Sequence, residues 1–103
     1  MTPDEFAKQS TMALANHVAE LDRIERAVTA AVKARSPLPI PSEIFGALSA
    51  AAEECVDLIE HYGDDEIIPP NVRNGVVHVQ HAITDLASAL EVHVAITALR
   101  SSG

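Results

Sequence analysis

Tryptophan is absent from this 103-residue sequence, and Phe6, Phe45 and Tyr62 are its only aromatic residues. With so few large rings, a core must be assembled from aliphatic side chains and alanine, which favours helix but buries little area per residue. Such helices need extended contact with one another. Cysteine is scarce as well: Cys55 stands alone, which excludes an internal disulfide. Its place on an apolar helical stripe points to a buried, inert thiol in a reducing compartment. Basic residues are the third shortage. Seven Lys and Arg against 15 Asp and Glu leave a net charge of −8. That balance offers no patch to neutralise phosphates, so DNA and membrane surfaces are excluded as general partners, while a basic protein partner is compatible. Uninterrupted apolar runs are missing too: none approaches the ~18 residues of a membrane span. Met1-Thr2-Pro3-Asp4-Glu5 lacks the basic-then-apolar order of a secretory signal. A cytoplasmic protein is expected.

What is present is helical. The length suits a single domain over 1–103, and the pattern predicts an all-α fold of three main antiparallel helices, about 3–35, 42–62 and 71–100. Thr2-Pro3-Asp4-Glu5 has the form of a capping box, with a Thr cap, a Pro at the first helical position and a Glu three residues after the cap. Leu14, His17, Leu21, Ile24, Val28 and Ala31 then alternate at spacings of three and four, one face of a helix. Ser36-Pro37-Leu38-Pro39-Ile40-Pro41-Ser42 breaks that helix, because each proline lacks an amide donor and pushes the residue before it out of the α region. A stiff extended connector is expected, with Leu38 and Ile40 free to pack. Pro41 or Ser42 begins the next helix and Gly63 caps its end. That helix carries two neighbouring apolar stripes, one of Ile44, Leu48, Ala51, Cys55, Leu58 and Tyr62, the other of Phe45, Ala52, Val56 and Ile59. A helix apolar over so much of its circumference is expected to touch more than one neighbour.

The last helix is predicted from Asn71 as its cap, with Val72, Val76, Val79, Ile83, Leu86, Leu90, His93 and Thr97 at core spacing. Val77, Val92, Val94 and Ile96 lie off that stripe. Three helices have difficulty covering so many apolar positions, so a bundle completed by homodimerisation is expected. An acidic surface on the second helix and the loop after it, Glu53, Glu54, Asp57, Glu60, Asp64, Asp65 and Glu66, is either a solvated face or a docking site for a basic partner.

Two constellations could carry chemistry. His78, His81 and Asp85 share one helical face, and Glu54, Asp57 and His61 repeat their spacing on the second helix. If the rows faced each other, they could hold a metal through nitrogen and oxygen ligands. The Glu-x-x-His pattern of carboxylate-bridged di-metal bundles is missing, and no cofactor is implied. His17 and His93 fall in core register, where a hydrogen-bonded core histidine is the plain interpretation. The second constellation is Arg73-Asn74-x-x-x-His78 at a helix start. Helix-start amides attract anions, arginine clamps phosphate with two parallel bonds, and histidine moves a proton near neutral pH.

That spacing resembles the arginine-to-histidine motif of HEPN domains, small all-α proteins that include many RNases acting as dimers. A long first helix, an Ala-rich second helix ending near Leu58-Ile59, an Ile-Pro loop and then the motif are similar to the toxin branch called HepT. The resemblance implies that Arg73 binds the scissile phosphate, Asn74 helps position it and His78 serves as acid or base, with RNA as substrate and a toxin–antitoxin setting. HepT-type motifs continue His-x-Tyr, whereas here the sequence reads His78-Val79-Gln80. Three function classes therefore stand: a small acidic helical interaction or regulatory protein that self-associates and binds a protein partner, a HEPN-like metal-independent ribonuclease, and a metal-binding bundle. No strong catalytic signature marks the chain as an enzyme.

Overall fold

The computed structural model describes residues 2–38, 41–63 and 67–102. Among them it has three helices and no strand: α1 (Pro3–Ala34), α2 (Pro41–Tyr62) and α3 (Pro70–Ser102). Each begins where the chain can supply the first turn cheaply. Thr2 caps α1 by accepting the Glu5 amide on its side-chain oxygen at 3.1 Å, with Pro3 at the first helical position. Pro41 and Pro70 open the other two helices, where a missing amide costs nothing. The cap of α3 differs from the expected Asn71. The Pro69 carbonyl accepts the Arg73 amide at 2.9 Å, so Pro69 takes the cap position and Asn71 sits in the first turn.

The ends are equally local. Gly63, at φ 73°, donates its amide to the Ile59 carbonyl and stops α2. α1 stops at Arg35, a non-glycine residue at φ 55°, as Arg35 and Ser36 donate their amides to the Val32 and Ala31 carbonyls. Leu38 of the connector packs half-buried against the core. Ile40 and the acids Asp64, Asp65 and Glu66 lie outside the described residues.

The helices run up, down and up. Sequential neighbours are antiparallel, while α1 and α3 run parallel along their whole length: Gly75 lies against Leu14 near the bottom and Arg100 reaches the Arg35 carbonyl at the top. A methyl added to Gly75 would come within 2.8 Å of Leu14 Cδ1, so this glycine is what lets the two helices approach. The core consists of Leu14, Leu21, Ile24 and Val28 of α1, Ile44, Ala51, Cys55 and Leu58 of α2, and Val72, Val76, Val79, Ala82 and Leu86 of α3, with Ile68 closing the bottom.

α2 does not reach the top. Its C-terminal ring, His61, stacks on Phe6 in the first turns of α1, with centroids 4.2 Å apart. Its first turn ends level with the middle of α1, where Glu43 helps hold the Arg23 guanidinium in its charged form after the larger effect of Glu20. At 22 residues against 32, α2 is about 15 Å shorter than α1. No α3 residue beyond Leu86 is buried in the described part of the helix. Leu90 is therefore only half-buried and Thr97 is exposed, although both hold core spacing. The result is a rod of 58 × 19 × 19 Å.

Candidate functional site

The start of α3 carries the arginine–histidine constellation, and all three of its side chains are exposed. Asn74 and His78, one turn apart, line the same groove of about 340 Å³, whose other wall is Thr11, Ala15 and Val18 of α1. Arg73 is not among the groove's lining residues. Five residues separate it from His78, which turns it about 140° around the helix. Within one chain the clamp and the proton carrier thus lie on different sides of α3. A second groove lies higher between α1 and α3, lined by Glu25 and Thr29, by Asp85 and Ser88, and by the apolar Val32 and Val92.

The metal rows are not assembled. Among the described residues, no group of three or more His, Cys, Asp and Glu side chains could hold an ion. The reason is the direction each row takes. α2 turns Ile44, Ala51, Cys55 and Leu58 inward, which leaves Asp57 and His61 exposed, and His61 is stacked on Phe6. His78, His81 and Asp85 are exposed on α3, which packs chiefly along α1.

His17 and His93 are both half-buried. His93 Nε2 lies 3.0 Å from the Ser36 carbonyl and donates to it, which places the proton on that nitrogen. Arg100 Nη1 donates to the Arg35 carbonyl at 2.7 Å. These two side chains satisfy carbonyls that the left-handed end of α1 leaves without helical partners. Their role is not legible in the sequence, since the partners are backbone atoms more than fifty positions away. Cys55 is buried, as its stripe implies. Burial raises its thiol pKa above the ordinary value, and the nearby Glu54 carboxylate adds to that.

The most extensive feature is uncovered apolar surface. Phe45, Val56 and Ile59 of α2 are exposed, as are Val77, Val92, Val94 and Leu99 of α3 and Met12 and Ile67 near the bottom. Val94 stands eighteen residues, five full turns, above Val76 and so on the same line of α3. Val76 is buried and Val94 is 62% exposed, because α2 has ended in between. At the bottom, Phe6, Met12, Tyr62, Ile67 and Pro69 border an open cavity of about 970 Å³.

By length and composition alone, α3 is also apolar enough to cross a membrane. Although its apolar runs are short, an 18-residue window within Pro70–Arg100 has a mean hydropathy sufficient for a membrane span, with only 11% of it buried. Counting uninterrupted runs misses it, because single polar residues such as Glu91 and His93 punctuate the stretch.

The geometry defines an up-down-up three-helix bundle with incompletely covered apolar faces. No protein-family model matches the sequence, and comparison with curated proteins and with solved structures gives no significant match.

Proposed function

We propose that this chain is a small acidic helical interaction protein that self-associates and binds a second protein. The carrying observation is its surface. The chain exposes 6756 Å² at 11.0 kDa, against about 5,600 Å² for a compact monomer of that mass. The excess of roughly 1,100 Å² exceeds the ~800 Å² that one partner contributes to a standard interface. Self-association falls to the upper half of α3. Val92, Val94 and Leu99 are exposed there, and Glu91 is the one carboxylate between Leu86 and Arg100, so two copies can meet with little charge opposition.

Size-exclusion chromatography with light scattering tests this at micromolar concentration. A dimer or larger species is expected, and Leu99→Asp combined with Val94→Asp should convert it to monomer, because each places a charge in a desolvated contact. A strictly monomeric parent chain overturns the proposal. So does partition of the chain into lipid vesicles in place of self-association, since α3 would then be a membrane segment.

A second reading, metal-independent RNA cleavage, draws on Asn74 and His78 sharing one groove. It needs Arg73 delivered beside them by a symmetry mate. RNA cleavage lost in both Arg73→Ala and His78→Ala, with the oligomer intact, would favour it over a pure interaction role.

A further inference from the structure

The two apolar faces of this molecule differ in what surrounds them, and that difference selects their occupants. On α2, Phe45, Ser49, Ala52, Val56 and Ile59 follow one another at alternating spacings of four and three. Such a row forms a straight seam for a second helix. The inward row Ile44, Leu48, Ala51, Cys55 and Leu58, buried except for the half-buried Leu48, is the same series one residue earlier, so the exposed seam lies about 100° around the helix from the core. Phe45 is 64% exposed and Val56 51%. The seam is about 21 Å long, four turns.

Its outer border is acidic. Glu53, Asp57 and Glu60 each follow a seam residue by one position, all three are exposed, and none has a hydrogen-bond or salt-bridge partner among the described residues. α2 contains no lysine or arginine. A second copy laid seam to seam would therefore bring this border against a helix with no cation of its own to offer. On α3 the apolar positions carry almost no charge, and a second copy meets no such obstacle.

We infer that the α2 seam is a docking site for a basic amphipathic helix of a partner protein, whose apolar stripe covers Phe45, Val56 and Ile59 while its lysines and arginines pair with Glu53, Asp57 and Glu60. This rests on the reading of the chain as an interaction protein and adds the chemistry and place of the partner. Apolar contact supplies affinity, and the acidic border sets orientation and excludes acidic helices.

The probe is a fluorescein-labelled synthetic peptide of about four helical turns, with leucines at alternating spacings of three and four and lysine or arginine on the flanks. Two controls keep its length: one carries the same leucines with glutamate flanks, the other is the basic peptide scrambled so that its apolar stripe is lost. Fluorescence anisotropy with the full chain should show binding of the basic amphipathic peptide, at least about tenfold tighter than either control. Val56→Ser should weaken it about tenfold. Glu53→Lys combined with Asp57→Lys and Glu60→Lys should reverse the preference toward the glutamate-flanked peptide, with helicity by circular dichroism unchanged. Raising salt from about 0.1 M to about 1 M shortens screening from about 10 Å to about 3 Å and should reduce the basic peptide's advantage. Equal binding of the amphipathic and scrambled basic peptides overturns the proposal as mere charge attraction. Loss of self-association in Val56→Ser, without peptide binding by the parent, overturns it by giving the seam to a second copy. Light scattering on the same samples separates the two claims: a dimer that ignores the peptide defeats only the docking site, and a monomer that binds it defeats only self-association.

Discussion

At the scale of single residues, two positions show how local chemistry is held by the bundle. Arg35 occupies the left-handed conformation that ends α1, which costs a residue with a Cβ about 1–2 kcal/mol relative to its right-handed form. The Arg35 and Ser36 amides bond to backbone carbonyls and the Arg35 carbonyl accepts from the Arg100 side chain, and a glycine at position 35 keeps all three. Arg35→Gly should therefore raise stability by about 0.5–1 kcal/mol after the greater freedom of glycine in the unfolded chain is subtracted. Urea unfolding checks it, and a fall in the midpoint would show that the arginine side chain matters at this cap. Cys55 gives a pH dependence. Its thiol pKa is raised in the folded chain, first by burial and then by Glu54, so the unfolded thiol ionises at lower pH than the folded one. The corresponding stability is full below the ordinary thiol pKa of about 8.5 and declines as pH rises above it. Native Cys55 should accordingly resist iodoacetamide at neutral pH and react on addition of urea. Rapid alkylation of the folded chain would place the thiol at the surface.

At the scale of helices, most of the architecture can be read from local signals. The Thr2 box, the proline-rich break and Gly63 each fix a boundary through one or two hydrogen bonds with near neighbours, and the inward stripe of α2 follows from periodicity alone. What stays hidden depends on partners distant in sequence. Core spacing gives no warning that Leu90 and Thr97 lack cover, because their exposure comes from the length of α2 and not from α3 itself. Gly75 offers no signal either, since its value lies in the Leu14 side chain opposite. Asn74 and His78 are legible as a helical pair and the offset of Arg73 follows from its spacing, while the groove that takes in the pair and leaves Arg73 out depends on α1. The two helical glycines make a matched test. A methyl added to Gly46 would meet nothing within 4 Å, so Gly46→Ala should stabilise α2 by about 0.8–1 kcal/mol. Gly75→Ala gains the same propensity but drives a methyl into Leu14, and overpacking of about 1–3 kcal/mol should leave it destabilised or at best neutral. Equal stabilisation by both in thermal unfolding would mean that α1 and α3 are not held at close range.

At the scale of the whole molecule, the radius of gyration of 16.4 Å exceeds the ~13 Å of a compact domain of this length. The elongation arises because two helices of 32 and 33 residues lie side by side while the third is too short to complete the upper bundle. Length mismatch, more than composition, leaves Val94 exposed and Leu90 only half-covered and creates the surface on which association is proposed. The parallel pairing of α1 with α3 has a further effect, on the order of events as the chain is made. The dominant contact joins segments about sixty positions apart, as Leu14 with Gly75 shows, so it cannot form by local zipping and requires closure of a long loop. While a ribosome is still producing α3, the greasy stripe of α1 has only the smaller α2 against it. During that interval much of the stripe faces water, and collapse to the finished rod waits for the valines of α3 to arrive.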